Sequence, residues 1–171
     1  ALLTHAFELL SSPLLIDTFD ASVLLQANQC LAHASGSFGM VGGQAVDIVS
    51  EGQDIEIEVL EYMHRHKTAA LIEASIVIGG LLGGGSPEQV QALRTYGHQV
   101  GWAFQITDDI LDVEGDAQLL GKAVGRDAEQ AKATYPGILG LEPSRERATA
   151  LMQEGLDALT IFDHQADRLR Q

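Results

Sequence analysis

The chain has 171 residues, 46% of them apolar and 20% charged, which excludes intrinsic disorder and allows one domain with a sizeable core. Ten basic residues against 24 acidic ones give a formal charge of −14, which argues against a nucleic-acid or anionic-membrane partner, since both call for a basic surface. An anionic substrate would depend on local cations, and the chain has only three lysines, Lys67, Lys122 and Lys132, beside seven arginines.

Apolar residues at helical spacing, punctuated by Gly and Pro, predict an all-α fold with no strand pattern strong enough to compete. The first helix is expected over Leu2–Leu10, ahead of Ser12-Pro13, and the second from Asp20 to Gly39. A third segment spans Val41 to Val49. Residues Asp54 to Val59 alternate with period two, as a strand would, yet their helical surroundings favour a short helix. A longer helix over Arg65–Leu82 closes at Gly83-Gly84-Gly85; its apolar run is interrupted by Glu73 and glycines and falls short of a bilayer span, so no transmembrane helix is expected. Ser86-Pro87-Glu88-Gln89 is a start signal, with Ser as N-cap, Pro at the first helical position and Gln completing a capping box. The helix it opens carries a stripe, Val90, Leu93, Gly97, Val100, Phe104 and Leu111, assigned mostly to the core, and Gly97 and Gly101 would admit a neighbouring helix closely. A loop from Gly115 to Gly140 and an amphipathic helix over Arg145–Arg170 complete a single helical domain over residues 1–171.

Within the apolar stretch Trp102 to Val113 stand three carboxylates, Asp108, Asp109 and Asp112. Residues three and four apart share a helix face, so Gln105, Asp108 and Asp112 project together while Phe104, Thr107 and Leu111 pack. Carboxylates so close repel one another unless a cation neutralises them, and hard oxygen ligands suit Mg²⁺ held partly by a substrate's phosphates. An ordinary exposed acidic face is the alternative for this segment taken alone. Gly121-Lys122 and Gly125-Arg126-Asp127 place two cations between glycines in the following loop, Lys132 lies just beyond, and Lys67-Thr68 pairs a cation with a hydroxyl on an earlier helix. Each is unspecific by itself; together they describe a diphosphate held between carboxylate-bound Mg²⁺ and Lys or Arg.

Other chemistries find little support. Cys30 has no partner for an internal disulfide, and the six histidines include no HExxH pair, so His64 and His66 are read as ordinary, partly exposed residues. The glycine runs match neither a Walker A loop nor GxGxxG, and no nucleophile elbow occurs. The chain opens without a leader pattern and without Met, which is read as processing or a partial chain.

Phe104-Gln105-Ile106-Thr107-Asp108-Asp109-Ile110-Leu111-Asp112 resembles the second aspartate-rich motif of the trans-isoprenyl diphosphate synthases, closest to the geranylgeranyl type. Gly42-Gly43-Gln44 with Asp47, His66-Lys67-Thr68, Gly121-Lys122 and Lys132-Ala133-Thr134-Tyr135-Pro136 are similar to the family's other signatures, in its order. The resemblance implies an all-α isoprenoid-synthase bundle, in part, and a homodimer that condenses isopentenyl diphosphate with an allylic diphosphate. It assigns Asp108, Asp109 and Asp112 to Mg²⁺ and Lys67, Lys122 and Lys132 to the leaving diphosphate. It also places Gln105 and Thr68 in the allylic pocket, with Gln44 and Asp47 supporting the cavity. Lys67, Lys122 and Asp108 stand out as the catalytic set.

The family's first aspartate-rich motif, its following Arg-Arg and its Gly-Lys-Arg stretch for isopentenyl diphosphate do not occur in these 171 residues. The resemblance therefore implies the C-terminal portion of a synthase, inactive on its own, located in the cytoplasm or in the plastid stroma of a plant. A non-catalytic subunit of a heteromeric prenyltransferase and a class I terpene cyclase are the alternatives. The intact aspartate row and the lysine set disfavour the first, and the Lys-Thr pair disfavours the second.

Overall fold

A computed structural model describes residues 1–114 and 132–171, all in helices and their connections, with no strand among the described residues. In chain order the helices are α1 (Leu2–Leu10), α2 (Pro13–Ile16), α3 (Ala21–Ser35), α4 (Met40–Ser50), α5 (Ile57–Met63), a π-helical segment (His64–Ala69), α6 (Ala70–Leu82) and α7 (Pro87–Glu114). After residue 131 come α8 (Tyr135–Leu139), α9 (Leu141–Ala158), two 3₁₀ turns (Leu159–Ile161 and His164–Ala166) and α10 (Asp167–Arg170).

The centre is the pairing of α6 with α7. A Cβ built on Gly101 would lie 2.7 Å from the Ala69 Cα, and one on Gly97 would lie 2.8 Å from the Glu73 Cα. Contacts that step forward on one helix and backward on the other make the pair antiparallel, and glycine is what lets the two backbones meet. Helix α9 covers the other flank of α7, α3 packs on α6, and α4 lies against the π segment. The main core joins Leu60, Met63, Ala69, Trp102, Ala103, Ile106, Ile110, Tyr135 and Leu151. Each large apolar side chain buried there contributes about 1.5–3 kcal/mol.

The capping box at α7 forms as expected: the Ser86 N–H donates to Gln89 Oε1 at 2.8 Å, and the Gln89 N–H donates to Ser86 Oγ at 3.3 Å. The expected boundaries of α1 and α4 hold to within a residue. Elsewhere the structure differs. Helix α3 stops at Ser35, four residues before the expected end, at the cap residue Gly36. The short helix expected over Asp54 to Val59 begins at Ile57 and runs through the π segment into α6 without a break. Part of the expected loop is α8, capped by Thr134, whose Oγ1 accepts from the Gly137 N–H at 3.2 Å. Its Pro136 and Gly137 look like loop punctuation in sequence, yet Pro near a helix start sacrifices no hydrogen bond. The terminal helix begins at Leu141 rather than Arg145 and gives way to 3₁₀ turns after Ala158.

The faces of α7 are also corrected. Phe104 is 58% exposed, Leu111 37% exposed, and Thr107 exposed, whereas Trp102, Ala103, Ile106, Asp109, Ile110 and Asp112 are buried. Helix α7 is gripped from two sides, by α6 and α9, so the packed faces are set by both neighbours and take Asp109 and Asp112 inward.

Candidate functional site

One cleft of about 240 Å³ gathers residues from four stretches of chain. Helix α4 contributes Asp47; α5 and the π segment contribute Leu60, Met63, His64, Lys67 and Thr68; α7 contributes Gln105, Asp108 and Asp109; and residues Lys132 to Thr134 close it. The π segment has a local cause of its position: a Cβ on Gly43 of α4 would sit 2.3 Å from the Lys67 backbone nitrogen, so α4 and the π segment touch backbone to backbone. The Ala70 N–H closes the wide turn on the Arg65 carbonyl. Such turns insert a residue into a helix and occur often at functional sites.

Lys67 Nζ donates to Asp47 Oδ2 at 2.8 Å, and Gln44 Nε2 reaches the same oxygen at 3.2 Å. Between the π segment and α7, the Thr68 hydroxyl donates to Gln105 Oε1 at 2.8 Å, and Gln105 Nε2 donates to Asp109 Oδ1 at 3.2 Å. The Tyr135 backbone N–H donates to the other oxygen, Asp109 Oδ2, at 3.0 Å. Asp109, only 4% exposed, thereby avoids the cost of a buried, unsatisfied carboxylate.

His64 is buried, with its Nε2 at 3.5 Å from Asp109 Oδ2 and its ring stacked on Tyr135 at 5.5 Å between centroids. Burial, and then the Lys67 ammonium, push the His64 imidazole down to about 3, with Asp47 opposing. The ring is neutral at ordinary pH, so its contact with Asp109 is polar rather than an ion pair. Burial and the Glu61 carboxylate hold the Tyr135 hydroxyl protonated, well above the usual phenol range.

Of the residues expected from sequence, Lys67, Thr68, Gln105, Asp108, Asp109 and Lys132 line this single cleft. Asp112 is buried on the same helix and is not among the lining residues. Lys122, with Gly121, Gly125, Arg126 and Asp127, lies outside the described residues. The sequence points to His64 only as an ordinary, partly exposed histidine and to no role for Glu61 or Tyr135. His64 stands four residues after Leu60 and three before Lys67, a spacing that puts all three on one face and would have turned the imidazole inward.

Among the described residues, no group of three or more His, Cys, Asp or Glu forms a cage for a metal ion. Asp108 and Asp109 instead share the cleft with Lys67 and Lys132. That donor set suits a hard cation held by one or two carboxylates and completed by water and phosphate oxygens, as Mg²⁺ is. No described helix is long and apolar enough to cross a membrane.

The polyprenyl synthetase family profile matches residues 1–161. The heterodimeric geranylgeranyl pyrophosphate synthase large subunit 1, chloroplastic, of Arabidopsis thaliana is 47% identical over 166 residues, covering 95% of this chain and 45% of that protein. The geranylgeranyl diphosphate synthase of Cyanophora paradoxa is 37% identical over 167 residues, covering 97% of this chain and 55% of its own. Among solved structures, an FPP/GFPP synthase from Zymomonas mobilis superposes with a TM-score of 0.82 at 34% identity, over 98% of this chain and 55% of that one. A geranyltransferase from Helicobacter pylori complexed with magnesium and isoprenyl diphosphate gives a TM-score of 0.81 at 33% identity, over 98% and 54%. The chain spans about half the length of the curated relatives it matches.

Proposed function

The chain belongs to the polyprenyl synthetase family, and from that premise we propose that it carries part of the cleft of a trans-prenyltransferase that joins isopentenyl diphosphate to an allylic diphosphate, giving geranylgeranyl diphosphate. One observation carries the reading: Asp108 and Asp109 share a small polar cleft with Lys67 and Lys132, around the Thr68–Gln105 hydrogen bond.

Lys67 and Lys132, joined by Lys122, bind the diphosphate and stabilise the negative charge that gathers on it as the allylic C–O bond breaks. Lys67 is held ready by Asp47, itself fixed by Gln44. Asp108 and Asp109 would hold Mg²⁺ from the cleft, with Asp112 behind them on the same helix adding its charge, and the ion would supply positive charge to the departing diphosphate. Gln105 and Thr68 line the allylic pocket. The electron pair of the broken bond leaves with the diphosphate, the alkene of isopentenyl diphosphate bonds to the allylic carbon, and a proton is lost from the new chain. His64, neutral and buried, keeps the wall beside Asp109 free of a competing positive charge.

The Arabidopsis relative is named as the large subunit of a heterodimer. Assembly with a second chain, a homodimer or a heteromer, is therefore part of the proposal, read from native mass. Plant relatives named as chloroplastic support the plastid stroma as the compartment.

The test is incubation of the full-length protein with Mg²⁺, labelled isopentenyl diphosphate and each short allylic diphosphate, followed by chromatography of the dephosphorylated products. A discrete geranylgeranyl product that disappears in Asp108→Ala supports the reading. Absence of any prenyl product from a folded, correctly assembled protein would overturn it, and a different discrete length would correct the product alone.

A further inference from the structure

We infer that Tyr135 is a positioning residue of the diphosphate cleft, holding the Asp109 carboxylate and the Lys132-bearing segment in register across the junction of α5 and α7. The inference rests on the diphosphate reading given above and concerns a residue that would touch neither substrate nor cation.

Tyr135 is fully buried at the start of α8 and makes three kinds of contact, with α7, α5 and the π segment. Its backbone N–H donates to Asp109 Oδ2 on α7 at 3.0 Å. Its hydroxyl donates to Glu61 Oε1 on α5 at 2.7 Å. Its ring stacks on His64, one turn further along, with 26° between the planes. Lys132, three residues earlier, lines the cleft. The hydroxyl is thus a peg on α5, and the same residue's amide is a clasp on α7. Thr134, which lines the cleft beside Lys132, caps α8 through its own hydroxyl, so the peptide between Lys132 and Tyr135 is fixed at its far end.

Freeing the hydroxyl allows α8 to shift against α5, and that displacement carries the Asp109-bound amide and Lys132 together. Charge-assisted hydrogen bonds of this kind change an equilibrium by on the order of tenfold or more. The consequence falls on diphosphate affinity first, because Asp109 is bound to Tyr135 directly and Lys132 lies three residues from it, whereas Thr68 and Gln105, which would contact the reacting carbon, reach it only through Asp109.

The experiment measures binding of inorganic pyrophosphate with Mg²⁺ by calorimetry, and steady-state kinetics with the allylic diphosphate, in the full-length protein. Tyr135→Phe keeps the ring and the backbone N–H and removes the hydroxyl, with its bond to Glu61 and its approach to the Arg147 guanidinium. It is expected to weaken pyrophosphate binding and raise KM by on the order of tenfold while kcat stays within about threefold. Glu61→Gln keeps an acceptor oxygen and retains most of the affinity, whereas Glu61→Leu reproduces Tyr135→Phe. The Tyr135→Phe, Glu61→Leu double variant is no weaker than Glu61→Leu alone, because the Tyr135–Glu61 contact is already lost there, together with the Glu61–Arg65 pair at 4.0 Å. Should Tyr135→Phe fail to fold, the two Glu61 variants read the same contact from its partially exposed side.

Lys132→Ala separates this inference from the reading beneath it. Unchanged pyrophosphate affinity in Lys132→Ala overturns the diphosphate reading itself. Weakened binding in Lys132→Ala with wild-type affinity in folded Tyr135→Phe or Glu61→Leu overturns the role of Tyr135 alone. Equal loss in Glu61→Gln and Glu61→Leu also overturns it, by making the charge of Glu61, and not the peg, the cause.

Discussion

Asp109 shows how a charged residue is made tolerable inside an apolar helix: Gln105 and the Tyr135 amide each donate to one of its oxygens, and Thr68 in turn donates to Gln105. Thr68→Val keeps shape and removes the outermost donor, leaving Gln105 Oε1 without its partner. The expected cost is about 1–3 kcal/mol of stability, read by urea unfolding, with a fall in kcat/KM because Gln105 is freed to turn away from Asp109. A second residue-scale prediction concerns Glu73 on α6, which accepts from Arg94 Nη1 at 2.7 Å and lies 3.3 Å from His98 Nδ1. Burial raises its carboxyl, but the hydrogen bonds from His98 and Arg94 outweigh burial and set it below its ordinary value of 4.5. A lowered folded-state value means that the stabilisation is fully present above the unfolded value and is lost as pH falls through the folded one. The stability gap between wild type and Glu73→Gln is therefore expected to be constant near neutrality and to shrink below pH 4.5, followed by denaturant titration at several pH values.

At the scale of elements, the α4 contact with the π segment and the capping box of α7 make opposite predictions. Gly43→Ala would drive a methyl group to 2.3 Å from the Lys67 nitrogen, so either α4 or the π segment must move. About 1–3 kcal/mol of stability should be lost, and Mg²⁺-dependent pyrophosphate binding should weaken as Lys67 shifts. Ser86→Ala should cost about 1 kcal/mol and leave that binding unchanged, since Ser86 lies at the far end of α7 from the cleft. Calorimetry on both variants checks the pair. The capping box was legible in sequence because its chemistry is local, complete within four residues. So was the close approach at Gly97 and Gly101, where small residues one turn apart have few other uses in an apolar helix. The inward turn of Asp109 was not legible, since it depends on α9 covering one flank of α7 while α6 covers the other. Helix α8 escaped notice because its stability comes from Tyr135 filling the core and from the Thr134 cap, neither of which shows in a helical period. The cleft residues were legible mainly as ordered motifs, and their convergence rests on contacts dozens of residues apart, such as Thr68 with Gln105.

For the whole molecule, carboxylates and lysines brought to one cleft should make cation and anion binding mutually dependent. Mg²⁺ alone is repelled by the lysines and pyrophosphate alone by the carboxylates, whereas together each ion offsets part of the repulsion that the other meets. Thermal melting is expected to rise by a few degrees with both present and by much less with either one, since a ligand at a hundred times its dissociation constant stabilises by about 2.7 kcal/mol. Equal shifts with pyrophosphate in the presence and absence of Mg²⁺ would contradict that dependence. The wide turn at His64–Ala69 bears on how such a molecule can tolerate change. A π turn is an α-helix with one residue too many, and in an α-helix each residue advances the face by about 100°. Deleting a single residue there would leave a regular helix from Ile57 onward, yet Leu60 and His64 would swing away if α6 stayed seated on α7, or Glu73 and Val77 would swing away if α5 stayed. Substitutions in this segment are matters of degree, but its length is fixed: one lost codon separates the register of the cleft from that of the core.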